Sequence, residues 1–491
     1  MKKTKKELLI YFIVVASAII IFKNYIIGHY AVDTYAIANL GYKEYAIKIF
    51  LKAGRPFSCM LLLIADLINL PIKVLVIFST IMAIFISALS VMKLREIILK
   101  NKNVADKYNE LIVIAISFCT VFNFMYIENL YFAEASIMAT AVYLSIVAAN
   151  QLLNLEKHNM IKSLMILLIA IFSYNAVINV YITSVVFLLI IDKNSRTKKE
   201  TAKLFLSACT ICLITIVLNF AQIKCICNGL GLLQNRISSQ TNYFTNIAYI
   251  FLNCGDVLIS TANLFPKYYF IAFLIAILIP SMLYLYKTNK KINEEIILFI
   301  LVSIMSSFAI SVFTLSSFGT GRLLTPIGML IGYLFMIIYI KTHIFESKKI
   351  IGYYLKVILS IYLIINIANF YNITKEQQEI NEIEKNKVKE INEYINCYEK
   401  ENNIQIKHIT MKYVKGCKEK AFYKKITSTN CIAVYAEASY DGVINFYTGR
   451  KLKEIGITEE LNQKYEEKTR QIGENIYCCV DDVLICLVYV V

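Results

Sequence analysis

Apolar runs of about 17 to 22 residues recur along this chain from Leu8 to Tyr371, separated by short polar stretches. Each is long enough, or nearly so, to cross a bilayer, and in lipid a lone segment satisfies its own backbone only as a helix. The pattern predicts an all-α polytopic membrane protein with about 11 transmembrane helices, at 8–27, 72–92, 111–127, 136–153, 163–176, 178–191, 204–222, 268–286, 296–314, 324–340 and 350–371. SYNAVINVY leaves little room for a loop inside the pair at 163–191. FSCMLLLIADLINL, residues 57–70, is too short to span, holds Asp66 and Asn69, and is followed by Pro71. It reads as a juxtamembrane helix. Residues 223–267 predict an external loop with a partly embedded stretch near 246–265.

The first run follows MKKTKKE with no small-residue cleavage site, which predicts an uncleaved signal anchor. From Asn372 the pattern changes. KEQQEINEIEKNKVKEINEYINCYEKE predicts a polar amphipathic helix. Short alternating runs after it (IAVYAEA, GVINFYTG, NIYCCVDDVLICLVYVV) predict a small α+β domain. The chain therefore divides into a membrane domain, 1–371, and a C-terminal domain, 372–491.

Composition supports this. The 491 residues are 58% hydrophobic, with 16 Gly, 5 Pro, and 34 Tyr in place of an absent Trp for an interfacial belt. The net charge of +16 would suit a nucleic-acid partner, but its distribution excludes one. Residues 372–491 carry 18 Lys and Arg against 19 Asp and Glu, whereas the other 33 bases and 16 acids lie in the membrane domain. Of those bases, 22 sit in six clusters: Lys2–Lys6, Lys93–Lys107, Lys157–Lys162, Lys193–Lys203, Lys287–Lys291 and Lys341–Lys349. The positive-inside rule places them in the cytoplasm, with the N-terminus inside and the C-terminal domain outside. Six of the 13 cysteines (Cys397, Cys417, Cys431, Cys478, Cys479, Cys486) lie in that domain, where at least one disulfide is expected, the alternative being that some are buried free thiols.

The chemistry gathers on the outer side. In HYAVDTYAIANLGYKEYAIKIFLKAGRPFSC, residues 29–59, Tyr35, Ala38, Tyr42, Tyr45 and Ile49 make a helical apolar stripe that would lie on the membrane surface. Lys48, Lys52 and Arg55 fall at i, i+4 and i+7 and would hold a phosphate, or else dock on anionic headgroups. Asp33 is either the N-cap of a helix over 34–52 or a working acid or base. Glu128 and Glu134 stand in NFMYIENLYFAEASIMA with no Lys or Arg near them. Uncompensated carboxylates at membrane depth are costly and point to function, the alternative being a solvated turn. Arg322 follows a Gly-x-Gly in SSFGTGRLLTPIG, where it would meet a ligand or snorkel to the interface. No P-loop or dinucleotide motif is evident. Cys225-x-Cys227 and four His are too little for a metal site, so no cofactor is expected.

The order of a signal anchor, an external Asp33, Gly54-Arg55 before an apolar interfacial helix, Glu128-Asn129-Leu130 after the third span and, more loosely, Gly321-Arg322 resembles the bacterial membrane glucosyltransferases of the serotype-converting type, glucosyltransferase family II, in the GT-C fold class. The resemblance covers most of residues 1–371. One departure is that Asp33 is single where that family's first loop often has paired acids. The resemblance implies an inverting transfer of a hexose, glucose in that family, from a polyprenyl-phosphate donor to a polysaccharide or glycolipid acceptor, outside a bacterial cytoplasmic membrane. Asp33, with Glu128 or Glu134, would serve the hydroxyls. Lys48, Lys52, Arg55 and Arg322 would serve the donor phosphate, and membrane lipids would surround the rest. Two rivals use the same setting. A transporter or flippase predicts internal repeats, broken helices and midplane charges, and a polymerase of lipid-linked saccharides predicts a large loop between late spans. A third reading is a non-catalytic cell-envelope partner that binds through its tail.

Overall fold

The computed structural model describes residues 2–100, 109–192, 196–231, 242–288, 290–313, 318–342, 345, 350–415, 439–472 and 477–490. Helices dominate them: α1 (Lys2–Ile21), α2 (Lys23–Ile27), α3 (Val32–Leu40), α4 (Tyr42–Tyr45), α5 (Pro56–Leu67), α6 (Ile72–Lys100), α7 (Glu110–Val121), α8 (Tyr126–Leu130) and α9 (Ala135–Leu152). They continue as α10 (Lys157–Ser173), α11 (Ile178–Asp192), α12 (Lys198–Gly229), α13 (Tyr243–Ser260), α14 (Tyr269–Thr288), α15 (Lys290–Ser307), α16 (Thr325–Thr342) and α17 (Ile350–Asn402).

Among the described residues, five helical segments are long and apolar enough to cross a membrane: α6, α9, α11 with the turn before it, α12 and α17. A sixth arises if the segments Lys5–Ile21 and Lys23–Leu40, bent by 75° at their junction, are one span. Four more apolar helical stretches are shorter, among them Pro56–Leu67 and Glu110–Val121. The sequence expected about 11 spans. The structure supports the coarser picture of a helical bundle with several apolar helices of membrane-crossing length.

The stretch read as too short to span holds α5, an apolar helix of 12 residues, Pro56–Leu67. Pro56 starts it where a missing N–H costs nothing. It buries Ser58, Cys59, Leu62 and Ala65 and leaves Met60, Ile64 and Leu67 exposed. A helix with one packed face and one bare apolar face suits the lipid boundary. The expected surface helix over 34–52 is broken instead. Gly41 interrupts it at φ +82, α4 follows, and a π-helical turn over Ala46–Leu51 ends it.

The helix ends sort by charge. Arg95 of α6 reaches Glu7 of α1 at 2.5 Å and Glu110 of α7 at 2.6 Å, and Lys6 also meets Glu110 at 2.5 Å. Arg196 joins Asp192 at 2.6 Å and donates to Leu153 O at 2.7 Å, drawing the ends of α9 and α11 to the start of α12. Lys6, Arg95 and Arg196, from three of the basic clusters, thus lie at one end of the bundle.

At the other end α7 stops early. A Cβ on Gly332 of α16 would lie 2.6 Å from the Thr120 Cα, so α16 lets α7 approach at backbone distance. Asn123 accepts the Met125 N–H at 3.0 Å and turns the chain. Residues 122–135 then run inside the protein, every one of them buried. The solvated turn is thereby ruled out.

Helix α17 is continuous for 53 residues, about 80 Å at 1.5 Å per residue. It crosses 371–372 without a break and carries the tail, a four-stranded sheet in the order β2-β1-β4-β3. In it β1 (His408–Lys415) runs parallel to β2 (Lys453–Glu454) and to β4 (Val483–Val490), and β3 (Tyr477–Val480) is antiparallel to β4. Helix Tyr440–Thr448 packs on α3. A Cβ on Gly442 would come within 2.7 Å of Tyr35 O. Tyr35 donates to Glu384 of α17 at 2.6 Å and shares a hydrogen bond with Tyr447 at 3.0 Å. Asn39 donates to Asp441 at 2.6 Å. Cys397, Cys478, Cys479 and Cys486 are free, the last three packed in the sheet; of the six tail cysteines only Cys417 and Cys431, outside the described residues, are left for the expected disulfide.

Candidate functional site

Two glycine–arginine turns build the site. Gly54 has φ +72, and a Cβ there would lie 2.6 Å from Ile223 of α12. Both conformation and space demand glycine. Asn219 donates to Gly54 O at 3.3 Å, and Asn175 donates to Ala53 O at 3.1 Å. So held, the turn sends Arg55 inward at the start of α5. Its guanidinium carbon lies 4.7 Å from the Tyr174 ring centroid, and Nη1 lies 3.8 Å from Glu134 Oε1.

The second turn is Gly321-Arg322. A Cβ on Gly321 would fall 2.5 Å from Glu128 Oε2, and the same oxygen accepts the Arg322 N–H. Glu128 therefore anchors the turn. The Arg322 guanidinium carbon lies 4.5 Å from the Phe132 ring centroid. Its charge acts on Tyr174, as that of Arg55 does. Gly321, Glu128 and Tyr174 sit inside the protein, so Arg322 does not snorkel.

Glu134, 2% exposed, is the residue just before α9. Burial, reinforced by the Asp33 carboxylate and opposed by Arg55, pushes its carboxyl up to about 7. Its Oε2 and the Arg55 Nε are buried without hydrogen-bond partners. Such orphaned polar atoms are costly, and groups of this kind accept a ligand readily.

Asp33 lies in the first turn of α3 and is half-buried. It is not the cap. The N-cap is Ala31, whose N–H is taken by Thr34 Oγ1 at 3.2 Å. Among the described residues, no hydrogen bond or ion pair holds the Asp33 carboxylate. Its charge acts on Glu134, Arg322 and the buried Tyr45.

The structure thus brings Asp33, Glu134, Arg55 and Arg322 together, with Glu128 behind Arg322. It leaves out Lys48, which faces outward and pairs with Glu44. The expected i, i+4, i+7 face is absent because the helix ends at Leu51, four residues before Arg55. Lys52 lies half-buried in the turn that follows. Sequence reading missed Tyr174, Phe132, Tyr45, Asn175 and Asn219. SYNAVINVY carried a usable signal, since a Tyr-Asn pair between two apolar runs marks a helix break. No group of three or more His, Cys, Asp or Glu that could hold a metal comes together among the described residues.

The chain matches no protein-family model, and a comparison with curated proteins found no match either.

Proposed function

We propose that this chain is a membrane glycosyltransferase that moves a hexose, glucose by the resemblance, from a polyprenyl-phosphate donor to a polysaccharide or glycolipid acceptor. The observation that carries the reading is one site where half-buried Asp33 and buried Glu134 meet Arg55 and Arg322, at the bundle end opposite the described basic clusters. By the positive-inside rule that end faces the cell exterior. Nucleotide sugars stay in the cytoplasm, so a transferase there needs a lipid-borne donor. In this reading α1, α6, α7, α9, α10, α11, α12, α14, α15, α16 and α17 are the eleven crossings, α5 and α13 lie at the interface, and the tail is extracytoplasmic.

Asp33, untethered and half-buried, takes the proton of the acceptor hydroxyl. The hydroxyl oxygen bonds to the anomeric carbon as the carbon–oxygen bond to phosphate breaks, with inversion. Arg55 and Arg322 receive the charge that collects on the departing polyprenyl phosphate. Glu134, with its carboxyl raised to about 7, is about half protonated at neutral pH, and in that form it offers a hydrogen bond to the sugar or acceptor. Glu128 positions Arg322.

A carrier of lipid-linked saccharide is the second reading, favoured by the break between α1 and α2 and the inward turn after α7. Purified full-length chain in liposomes, given radiolabelled polyprenyl-phosphate glucose and a short glycan acceptor, separates them. Label in the glycan supports transfer. Label that changes leaflet while staying on the donor refutes it.

A further inference from the structure

At the end of the bundle remote from the site, α10 and α12 run side by side in the same direction. The far end of α10 meets Arg55 through Tyr174, and α12 meets the neighbouring Gly54 through Asn219. Between their starts lies a groove of about 600 Å³. Its mouth holds Lys157, at the first position of α10, and Lys199 and Lys203, one turn apart on α12. Its floor and walls are aliphatic, with Leu164, Leu206 and Ile211 among them.

Among the described residues, no carboxylate pairs with any of the three lysines. Two acids lie beside them, fewer than the three lysines: Glu156 accepts from Asn159 at 3.1 Å, and Glu200 accepts the Thr197 N–H at 2.8 Å in a capping box. Two helix N-termini add positive potential to the same mouth. Ile161, Leu206 and Ile214, farther along, are exposed apolar residues on these two helices. A cationic mouth that continues into an aliphatic trough has the two-part chemistry of a phospholipid, phosphate outside and acyl chain within.

We propose that this groove is a binding site for an anionic phospholipid of the leaflet opposite the candidate active site. It stands apart from the glycosyltransferase reading and needs only that the bundle be in a membrane. Zwitterionic lipids bring a cation of their own to the three lysines and bind less well. Phosphate alone has no use for the trough.

The test is native mass spectrometry of the purified full chain with equimolar phosphatidylglycerol and phosphatidylcholine. The expected result is one retained phosphatidylglycerol in preference to phosphatidylcholine. Replacing Lys157, Lys199 and Lys203 by Ala should cut that retention about a hundredfold, and replacing all three by Arg should keep it. The lysines are exposed, so the melting temperature in detergent checks that each variant folds. A benzophenone amino acid at Ile161 should crosslink to the lipid in the wild-type background and lose the crosslink in the triple Ala variant. Equal retention of both lipids, unchanged retention in the triple Ala variant, or a crosslink indifferent to the lysines would overturn the proposal.

Discussion

Arg55 Nη1 and Glu134 Oε1 lie 3.8 Å apart inside the protein, while Arg55 Nε and Glu134 Oε2 have no hydrogen-bond partner. The pair is too long for a good hydrogen bond and too buried for water to screen it.

Asp33→Asn should lower kcat by about 10² to 10⁴ with little change in donor KM, as loss of a positioned base does. The helix start does not depend on Asp33, so Asn cannot be silent merely by capping well. Arg55→Ala or Arg322→Ala should instead raise donor KM. Steady-state kinetics separates the two classes, and a fully active Asp33→Asn enzyme would transfer the base role to Glu134.

The Glu134 carboxyl sits at about 7 when folded, against 4.5 ordinarily. Between those values the folded chain keeps a proton that the unfolded chain has lost. Stability therefore falls as pH rises through this window and is level above it. Glu134→Gln removes the penalty, so at pH 8 it should be more stable than the wild type by on the order of 3 kcal/mol, and equal near pH 4. Thermal unfolding in detergent at a series of pH values checks this. A wild-type melting temperature that rises between pH 5 and 7 in step with the variant's would count against it.

Gly54→Ala and Gly321→Ala should each damage the site without removing a functional group. The first forces a side chain into φ +72 and against Ile223, and the second drives Cβ into the Glu128 carboxylate. Both should lower the melting temperature by an amount corresponding to 1–3 kcal/mol and weaken donor binding by tenfold or more. Gly449→Ala, also at φ +72 but with open space around it, is the control for conformational strain alone.

Gly442→Leu should prise the tail from α3, since a Cβ already meets Tyr35 O at 2.7 Å. Limited proteolysis should then cut the tail faster, and transfer should fall because α3 carries Asp33. Tyr35→Phe loses the hydroxyl that Glu384 and Tyr447 share, a milder defect of about 1–3 kcal/mol. A detached tail with full activity would show that docking does not position Asp33.

At least four of the six tail cysteines should be alkylated after denaturation without reduction, because Cys397, Cys478, Cys479 and Cys486 are free. Mass spectrometry of the alkylated chain reads the number directly.

The apolar runs, the short α5 and the strands at the end of the tail were legible along the chain, because each is a local property of hydropathy, whereas GVINFYTG alternates like a strand yet folds as the helix Tyr440–Thr448 that packs on α3. The residue types of the site were legible too, since a buried carboxylate or a glycine before an arginine stands out in an apolar sequence. What only the tertiary structure decided is which of them meet. Lys48 and Arg55 share a helical face on paper, yet Gly41, the π-helical turn and Gly54 turn one outward and the other in. Asp33 has an N-cap's sequence, yet Ala31 and Thr34 start the helix. Glu128 and Glu134 look equivalent in a loop, yet one holds a backbone N–H and the other faces a guanidinium. Hydropathy depends on one residue at a time, whereas these roles depend on partners up to 194 positions away, set by how backbones close on glycine.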